Sequence, residues 1–363
     1  MRVDSVEVPS VAASSADAPS AGGRRQLAEH NTLGAIGFAF GDPAQEAAIG
    51  ARLAEIEQAL RDHVASTDPF VAECAAHLLS AGGKRFRPLL VALGASFGDL
   101  AAAEVVPAAV VVELTHLATL YHDDVMDEAP VRRGAPSANA RWNNSVAILV
   151  GDYLFARAAD VAADLGPDAV RIQARTFSRL VHGQLAETVG PREADPITHH
   201  LQVITDKTGS LIATSARFGA MFGGLGEEAV EALAGYGETI GVAFQLSDDL
   251  LDIASESTQS GKTPGTDLRE GVLTLPMLYA LASSDGGAEG ARLRELLSSG
   301  PLVDPALHAE ALVLLRASAA MQKARETVRD YADQARSRLS VLPDTAARAA
   351  LASLCDVVAE RTG

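Results

Sequence analysis

The strongest chemical signal in the sequence is the pattern Asp-Asp-x-x-Asp, which occurs at 123–127 and again at 248–252. On a helix, the first and fifth residues of this pattern stand one turn apart on the same face, so each copy predicts a pair of carboxylates. Mg²⁺ prefers a few carboxylates together with water and phosphate oxygens, and two facing copies could therefore clamp a diphosphate through bridging ions. The candidate metal ligands are Asp123, Asp124, Asp127, Asp248, Asp249 and Asp252.

Apolar sequence surrounds both aspartate motifs. Leu120 and Tyr121 precede the first motif, and Phe244 and Leu246 precede the second. A solvated acidic helix face would explain either motif taken alone. In apolar surroundings, however, carboxylates need partners, and a bound metal ion is the obvious one. The two motifs together therefore favour a metal site.

Two groups of basic residues are candidates for binding anions. Lys84, Arg85 and Arg87 follow a Gly-Gly pair at the start of a helix, where backbone donors and fixed charges could receive a second anion. A helix entry with solvated cations is the alternative there. Arg132 and Arg133 follow four residues after the first motif, and their guanidinium groups have the bidentate geometry that suits phosphate.

Two further segments give weak signals until they are placed beside the aspartates. One is Lys207-Thr208, in the middle of the chain, and the other is the Gly/Pro-rich segment 261–267, which contains Lys262. Neither segment indicates a particular chemistry alone.

Helices must position these residues, because composition and spacing predict an all-α protein. Aromatic residues make up only 4% of the chain, and the apolar residues lack the alternation that is typical of strands. Asp42 can cap a helix that begins at Pro43. Further helices are predicted at 70–79, 86–97, 101–128, 143–164, 168–188, 197–223, 227–256, 272–284, 305–338 and 345–360.

Charge and composition exclude several classes of protein. A net charge of -17 over 363 residues argues against nucleic acid as a partner, since phosphate binding needs a basic face. Residues 1–43 form a Ser/Ala/Pro-rich tail that is predicted to be disordered, and they have no apolar core typical of a signal peptide. We therefore expect a cytoplasmic protein. The apolar segment 100–121 is interrupted by charged residues and predicts a buried helix, not a transmembrane segment.

Two cysteines lie far apart, without metal-ligand spacing or secretory context. Cys74 and Cys355 are therefore expected to be reduced and buried.

Taken together, the motifs resemble those of the trans-type polyprenyl synthetases, the family of farnesyl, geranylgeranyl and longer-chain diphosphate synthases. The likeness spans about residues 50 to 360. The matching segments are GGKRFRP (82–88), ELTHLATLYHDDVMDEAPVRRG (113–134), GDYLFARA (151–158), KTGSL (207–211), FQLSDDLLD (244–252) and GKTPGTDLREGVLTLP (261–276). The resemblance implies an isoprenoid synthase fold, with antiparallel helices around a central cavity, a catalytic domain at 44–363 and a homodimer.

The resemblance also implies a role for each matching residue. Asp123, Asp127 and Asp248 would bind Mg²⁺, three ions in all when substrate is present, and Asp124, Asp249 and Asp252 would support the ions or their waters. Arg132 and Lys262 would hold the allylic diphosphate, and Lys84, Arg87, His116 and Arg133 would hold isopentenyl diphosphate. Lys207, Thr208 and Gln245 would lie beside the reacting carbons, whereas His122 would be structural.

Product length in the family is limited by side chains just before the first motif. Here these positions are Thr119 and Ala118, with Thr115 about one turn deeper, and none is a large aromatic residue. A product longer than twenty carbons is expected, such as a side-chain precursor of a respiratory quinone. The chain departs from the family pattern at Val272, where lysine is common. Loss of that lysine would weaken the binding of the allylic diphosphate.

Four alternatives remain open from the sequence. One is a shorter-chain geranylgeranyl diphosphate synthase, and another is a class I terpene cyclase, which normally lacks the second Asp-Asp-x-x-Asp and an isopentenyl site. A third is a non-catalytic regulatory subunit, and the last is a purely structural helical bundle, in which six aspartates and several arginines would converge without cause.

Overall fold

The computed structural model describes residues 41–255, 264–284 and 286–361. These residues are almost entirely helical, with one short antiparallel hairpin, β1 (Val131–Arg132) and β2 (Ala135–Pro136). The helices are α1 (Pro43–Val64), α2 (Pro69–Ser80), α3 (Phe86–Ala95), α4 (Val105–Met126), α5 (Ala138–Arg141), α6 (Asn144–Asp164), α7 (Pro167–Val189), α8 (Pro196–Ile204), α9 (Ser210–Phe222), α10 (Glu227–Ala254), α11 (Thr266–Glu270), α12 (Leu275–Ala282), α13 (Gly287–Ser298), α14 (Pro305–Ala317), α15 (Ala319–Arg338) and α16 (Ala346–Glu360).

Several helices begin with the same pair of residues, aspartate followed by proline. The Asp42 side chain accepts a hydrogen bond from the Ala44 amide at 2.9 Å, as the sequence predicted. Asp68, Asp195 and Asp304 cap α2, α8 and α14 in the same way. An aspartate oxygen satisfies amides that have no partner in the first turn, and the fixed φ of proline suits that turn.

The two helices that contain the aspartate motifs, α4 and α10, lie in the interior of the fold. Helix α4 packs mainly against α6, while α10 packs against α9 and α15. By length and composition, α4 alone among the described helices could cross a membrane, but 72% of its most apolar window is buried against other helices. It is therefore a core helix, as predicted. Cys74 and Cys355 are both free and buried, which confirms the expectation for the cysteines.

The structure corrects the predicted helices in several places, including the following three. The run 305–338 is two helices, because Ser318 adopts an extended conformation between α14 and α15. Helix α13 was missed, since its first turn is rich in glycine. The run 197–223 is interrupted by a π-helical turn at 205–209. In the runs 305–338 and 197–223 the apolar spacing continues past the break, so it gives no sign of the break.

Some predictions fall outside the described residues. Most of the predicted tail lies in 1–40, and Lys262 lies in 256–263. The tail, the boundary of the catalytic domain and the cytoplasmic location stay predictions.

Candidate active site

A cavity of about 440 Å³ opens between α3, α4 and α10. We call it the smaller cavity. Its walls combine cations at one side, a carboxylate from the first aspartate motif, and apolar residues such as Leu180 and Leu211. The predicted site residues that line it are Lys84, Arg87, His116, Thr119, Asp123, Arg133, Lys207, Thr208 and Gln245.

A second cavity, of about 860 Å³, lies between α8 and α12. This larger cavity shares Lys207, Thr208 and Gln245 with the smaller one, so the two cavities adjoin at these residues. Asp249 and Val272 also line it. The residues predicted to lie beside the reacting carbons therefore stand at the junction of the two cavities.

The π-helical turn presents Lys207 and Thr208 to this junction. Arg179 holds the turn, because it donates to Asp206 at 2.9 Å and pairs with Glu238 at 2.7 Å. Gly183 on α7 allows the close approach, since a Cβ there would lie 2.7 Å from the Lys207 amide nitrogen. π-turns within helices occur frequently at functional sites, and this one redirects two side chains in mid-helix.

The cations of the basic turn before α3 have two different roles: one is paired within the protein, and another is available to bind an anion. Arg85 is buried and pairs with Glu57 at 2.8 Å and with Glu113 at 3.3 Å, so it ties the turn to the core. Burial lowers the pKa of Arg87 to about 10, although Glu113 opposes this shift. The Nε of Arg87 has no hydrogen-bond partner in the described part of the chain. Arg87 is therefore a desolvated cation in need of an anion.

Arg133 reaches the same cavity from the β1–β2 hairpin. Its guanidinium donates to the Leu78 carbonyl at 2.9 Å and also to the Gly82 carbonyl. Gly83 has a φ of +143°, and a Cβ there would lie 2.9 Å from the Arg133 Cζ. A side chain at position 83 would thus displace the arginine as well as strain the turn.

Each aspartate of the first motif has a different environment. Asp124 is fully buried, accepts from Arg132 Nε at 2.6 Å, and has one oxygen with no hydrogen-bond partner among the described residues. Asp127 is half exposed, 3.7 Å from the same arginine. Burial raises the pKa of Asp123 to about 6, although Lys207 partly opposes the shift. The positive charge near Asp123 therefore does not offset the cost of burying its ionised carboxylate.

The second motif is engaged with protein partners. Asp248 accepts from Arg361 at 2.7 Å, and burial nevertheless raises its pKa. Asp249 accepts from Gln245 at 2.9 Å. Asp252 accepts from the Asp267 amide at 3.2 Å and so fixes the start of α11.

The carboxylates do not form a preassembled metal cluster. In residues 41–255, 264–284 and 286–361, no three acidic, histidine or cysteine side chains converge as metal ligands. Like charges repel when no cation lies between them, and Asp124 and Asp248 are paired with arginines instead. The donor set is still right for a hard divalent cation, because it consists of carboxylate oxygens, one of them buried without a hydrogen-bond partner.

Comparison with known proteins identifies the family. The family model described as polyprenyl synthetase matches residues 68–309, more than half of the chain. The chain belongs to the polyprenyl synthetase family. A nonaprenyl diphosphate synthase of Mycobacterium tuberculosis is 53% identical over 329 residues, which cover 90% of this chain and 97% of that protein. The predicted family and its prenyltransferase activity are thereby confirmed.

Solved structures agree with this assignment. A geranylgeranyl pyrophosphate synthase from Corynebacterium glutamicum, complexed with calcium and isoprenyl diphosphate, is 47% identical, with a TM-score of 0.81 over 90% of this chain and 99% of that one. A decaprenyl diphosphate synthase from Rhodobacter capsulatus is 35% identical, with a TM-score of 0.80 over 88% and 99% of the two chains. The all-α isoprenoid synthase fold is therefore confirmed.

The chain-length positions of this synthetase lie at different depths. Thr119 lines the smaller cavity. Ala118 is fully buried, and Thr115 is buried with its hydroxyl bonded to the Val111 carbonyl at 2.7 Å. Of the three positions, only Thr119 lines either of the two cavities described above.

Several residues of the site were missed by sequence reasoning. Glu187 accepts from Lys207 Nζ at 2.5 Å. Arg361 donates a hydrogen bond to Asp248, and its Cζ lies 4.9 Å from the centroid of the Phe244 ring. The buried glutamate at 113 was visible in an apolar run, but its pairing with Arg85 depends on the fold.

His116 gives the synthetase a testable dependence of stability on pH. Burial and four nearby arginines hold its pKa well below 6.5 in the folded protein. As pH falls below about 6.5, the unfolded chain takes up a proton that the folded protein does not, so stability is lost. Between pH 7 and 5, we expect the free energy of unfolding to fall by about 2 kcal/mol more for the wild type than for His116→Gln.

Urea unfolding of both proteins at pH 7 and pH 5 measures this difference, in which the contributions of all other groups cancel. Equal losses of stability in the two proteins would contradict a neutral, desolvated His116.

Proposed function

We propose that this protein condenses isopentenyl diphosphate with an allylic diphosphate in a Mg²⁺-dependent reaction, giving an all-trans polyprenyl diphosphate longer than twenty carbons. A side-chain precursor of a respiratory quinone fits such a product. The observation that carries the proposal is the smaller cavity, where Lys84, Arg87 and Arg133 face a carboxylate of the first motif across a shared space. Two diphosphate substrates need two binding regions, and the basic residues and the metal-binding carboxylate would supply one each.

Isopentenyl diphosphate would bind at the basic side of the smaller cavity. Arg87 and Arg133 are desolvated by burial, which lowers the pKa of each, and an anion there would relieve the cost of burying them. His116 stays neutral among these cations and can donate one hydrogen bond without adding charge.

The allylic diphosphate would bind beside the aspartate motifs, held by Arg132, Lys207 and Lys262. Asp123, Asp127 and Asp248 would bind Mg²⁺, and we propose three ions in all. These ions would neutralise the diphosphate and stabilise it as a leaving group. Arg132 and Lys207 now pair with Asp124 and Glu187, so substrate must compete for them or share them.

The reaction then requires positioning and charge stabilisation but no nucleophilic side chain. The allylic C–O bond breaks, and the isopentenyl double bond attacks the allylic carbon to form a new C–C bond. A proton leaves the extended chain and is taken up by the departing diphosphate. Thr208 donates to the Gln245 side-chain oxygen at 3.3 Å, and these dipoles at the junction of the cavities would stabilise the cationic carbon.

Binding of isopentenyl diphosphate alone separates this function from the alternatives. We expect the wild type to bind the labelled compound at equilibrium, and Arg87→Ala to bind it at least about 10-fold more weakly, because a charge-assisted contact is lost. Wild-type protein that does not bind the compound would instead favour a terpene cyclase or a regulatory subunit. A geranylgeranyl diphosphate synthase is the second candidate, favoured by the 47% identity to the C. glutamicum structure.

We also propose that the enzyme is a homodimer assembled through α6 and α7. Val181, Leu185 and Val189 lie on one face of α7 at intervals of four residues, and they are 39%, 57% and 50% exposed. Leu149 on the neighbouring α6 is 66% exposed. An apolar face of this kind is unusual on a monomer and suits an isologous interface.

Sedimentation velocity at micromolar concentration tests the dimer. We expect the wild type to sediment as a dimer and Leu185→Glu as a monomer, because the substitution places two charges in an apolar interface. Val313→Glu on α14 is the matched control, since Val313 is 65% exposed but lies on another helix. A monomeric wild type, or a dimeric Leu185→Glu, would contradict the proposed interface.

A further inference from the structure

Asp249 of the second motif is held on one side by a chain of hydrogen bonds. Its side chain is 10% exposed, and Oδ1 accepts from Gln245 Nε2 at 2.9 Å. The Gln245 oxygen in turn accepts from Thr208 at 3.3 Å. These bonds link the π-helical turn to one oxygen of Asp249, but a single bonded oxygen does not fix the orientation of the carboxylate plane.

The other oxygen of Asp249 faces His200, a residue of α8. His200 Nε2 lies 3.7 Å from Asp249 Oδ2, and the His200 side chain is 16% exposed. This nitrogen is buried and has no hydrogen-bond partner within the described residues. Both side chains line the larger cavity.

The neighbouring histidine shows what a purely structural role looks like on the same helix. His199 Nε2 lies 3.1 Å from the Ala186 carbonyl, so it ties α8 to α7. Among the described residues, His200 has no comparable bond through Nε2. A buried polar group without a partner is destabilising, so the position is unfavourable unless a partner is acquired.

A small movement of either side chain would provide that partner. At 3.7 Å the contact is too long for a hydrogen bond, but hydrogen bonds at catalytic sites are often long without ligand and shorten when substrate binds. Once His200 donates to Oδ2 and Gln245 donates to Oδ1, the plane of the Asp249 carboxylate is fixed. Such outer partners of metal-binding carboxylates orient the site.

We propose that His200 is a positioning residue that fixes the Asp249 carboxylate for the binding of a divalent cation and diphosphate. The proposal rests on the proposed function and adds a residue to its site. In this role His200 would touch neither substrate nor metal and would act only through Asp249.

Three variants separate positioning from simple packing. His200→Leu removes the donor, and His200→Gln keeps a donor at a similar reach. His199→Leu is the matched control, because it removes an imidazole one residue away that does not face Asp249. If His200→Leu fails to fold, His200→Asn serves instead, since its amide is polar but too short to reach Asp249.

The main measurement is calorimetric binding of inorganic pyrophosphate at increasing Mg²⁺ concentration, which does not depend on activity. We expect His200→Leu to need at least about 10-fold more Mg²⁺ for half-maximal binding. His200→Gln should restore this concentration to within about 3-fold of the wild type, and His199→Leu should leave it unchanged. The KM for isopentenyl diphosphate should stay the same in all three.

Two results would overturn the proposal. One is a His200→Leu variant that needs the same Mg²⁺ concentration as the wild type for half-maximal pyrophosphate binding. The other is a His200→Gln variant that needs as much Mg²⁺ as His200→Leu. Wild-type protein that makes no prenyl product would overturn the proposed function instead, and the pyrophosphate titration would still test His200.

Discussion

Replacement of Asp123 or Asp248 by asparagine is expected to reduce kcat/KM for prenyl transfer by about 10³-fold or more while the protein stays folded. Each substitution removes one anionic ligand from the proposed metal site, and an amide oxygen neutralises a divalent cation poorly. Asp123→Asn also removes a carboxylate whose pKa burial raises to about 6, so it should not destabilise the metal-free protein.

Asp160→Asn is the matched control, because Asp160 is 74% exposed on α6 and pairs only with Arg157 in the described structure. Steady-state kinetics with labelled isopentenyl diphosphate, together with thermal unfolding, measures both effects. If the Asp123 and Asp248 variants keep kcat/KM within a few-fold of the control, the aspartate motifs do not take part in the reaction as proposed.

Thr119→Phe should shorten the product, from more than twenty carbons to twenty or fewer. Thr119 lines the smaller cavity, which Leu180 and Leu211 also line, so a phenyl ring there would occupy the space into which we expect the growing chain to extend. The side chain projects from α4, a rigid core helix, and the ring could not easily move aside. The rate of the first condensation should change much less than the final length.

Products are dephosphorylated and separated by chain length to test this effect. Thr119→Val is the control, because it keeps the volume of the side chain and loses only the hydroxyl, which donates to the His116 carbonyl at 2.8 Å. A phenylalanine variant with the wild-type distribution would show that chains grow elsewhere. Ala118→Phe is less informative, since Ala118 is fully buried and a large residue there would overpack the core.

Local sequence was sufficient to predict the helices that present the aspartates. Apolar spacing and the Asp-Pro capping pairs depend on residues a few positions apart, and the same holds for the Asp-Asp-x-x-Asp pattern itself. The positions of Lys84, Arg87 and Arg133 around one cavity were expected only from the family resemblance. No local pattern brings residues 87 and 133 together.

Partners chosen by tertiary structure were beyond sequence reasoning. Arg361 pairs with Asp248 across 113 positions, and Asp252 bonds the Asp267 amide across a segment with little periodicity. His200 lies in a short amphipathic helix where a histidine signals nothing by itself. The π-turn that presents Lys207 is set by Arg179 on another helix, so the uninterrupted apolar run gave no indication of it.

We propose above all that this protein elongates prenyl chains beyond twenty carbons in a metal-dependent reaction. The most direct test incubates purified protein with labelled isopentenyl diphosphate and farnesyl or geranylgeranyl diphosphate in Mg²⁺, with and without a chelator, and separates the products by length. We expect labelled products longer than twenty carbons that disappear with the chelator. Products that stop at twenty carbons would contradict the proposed length, and failure to incorporate label with either primer would contradict the enzymatic function itself.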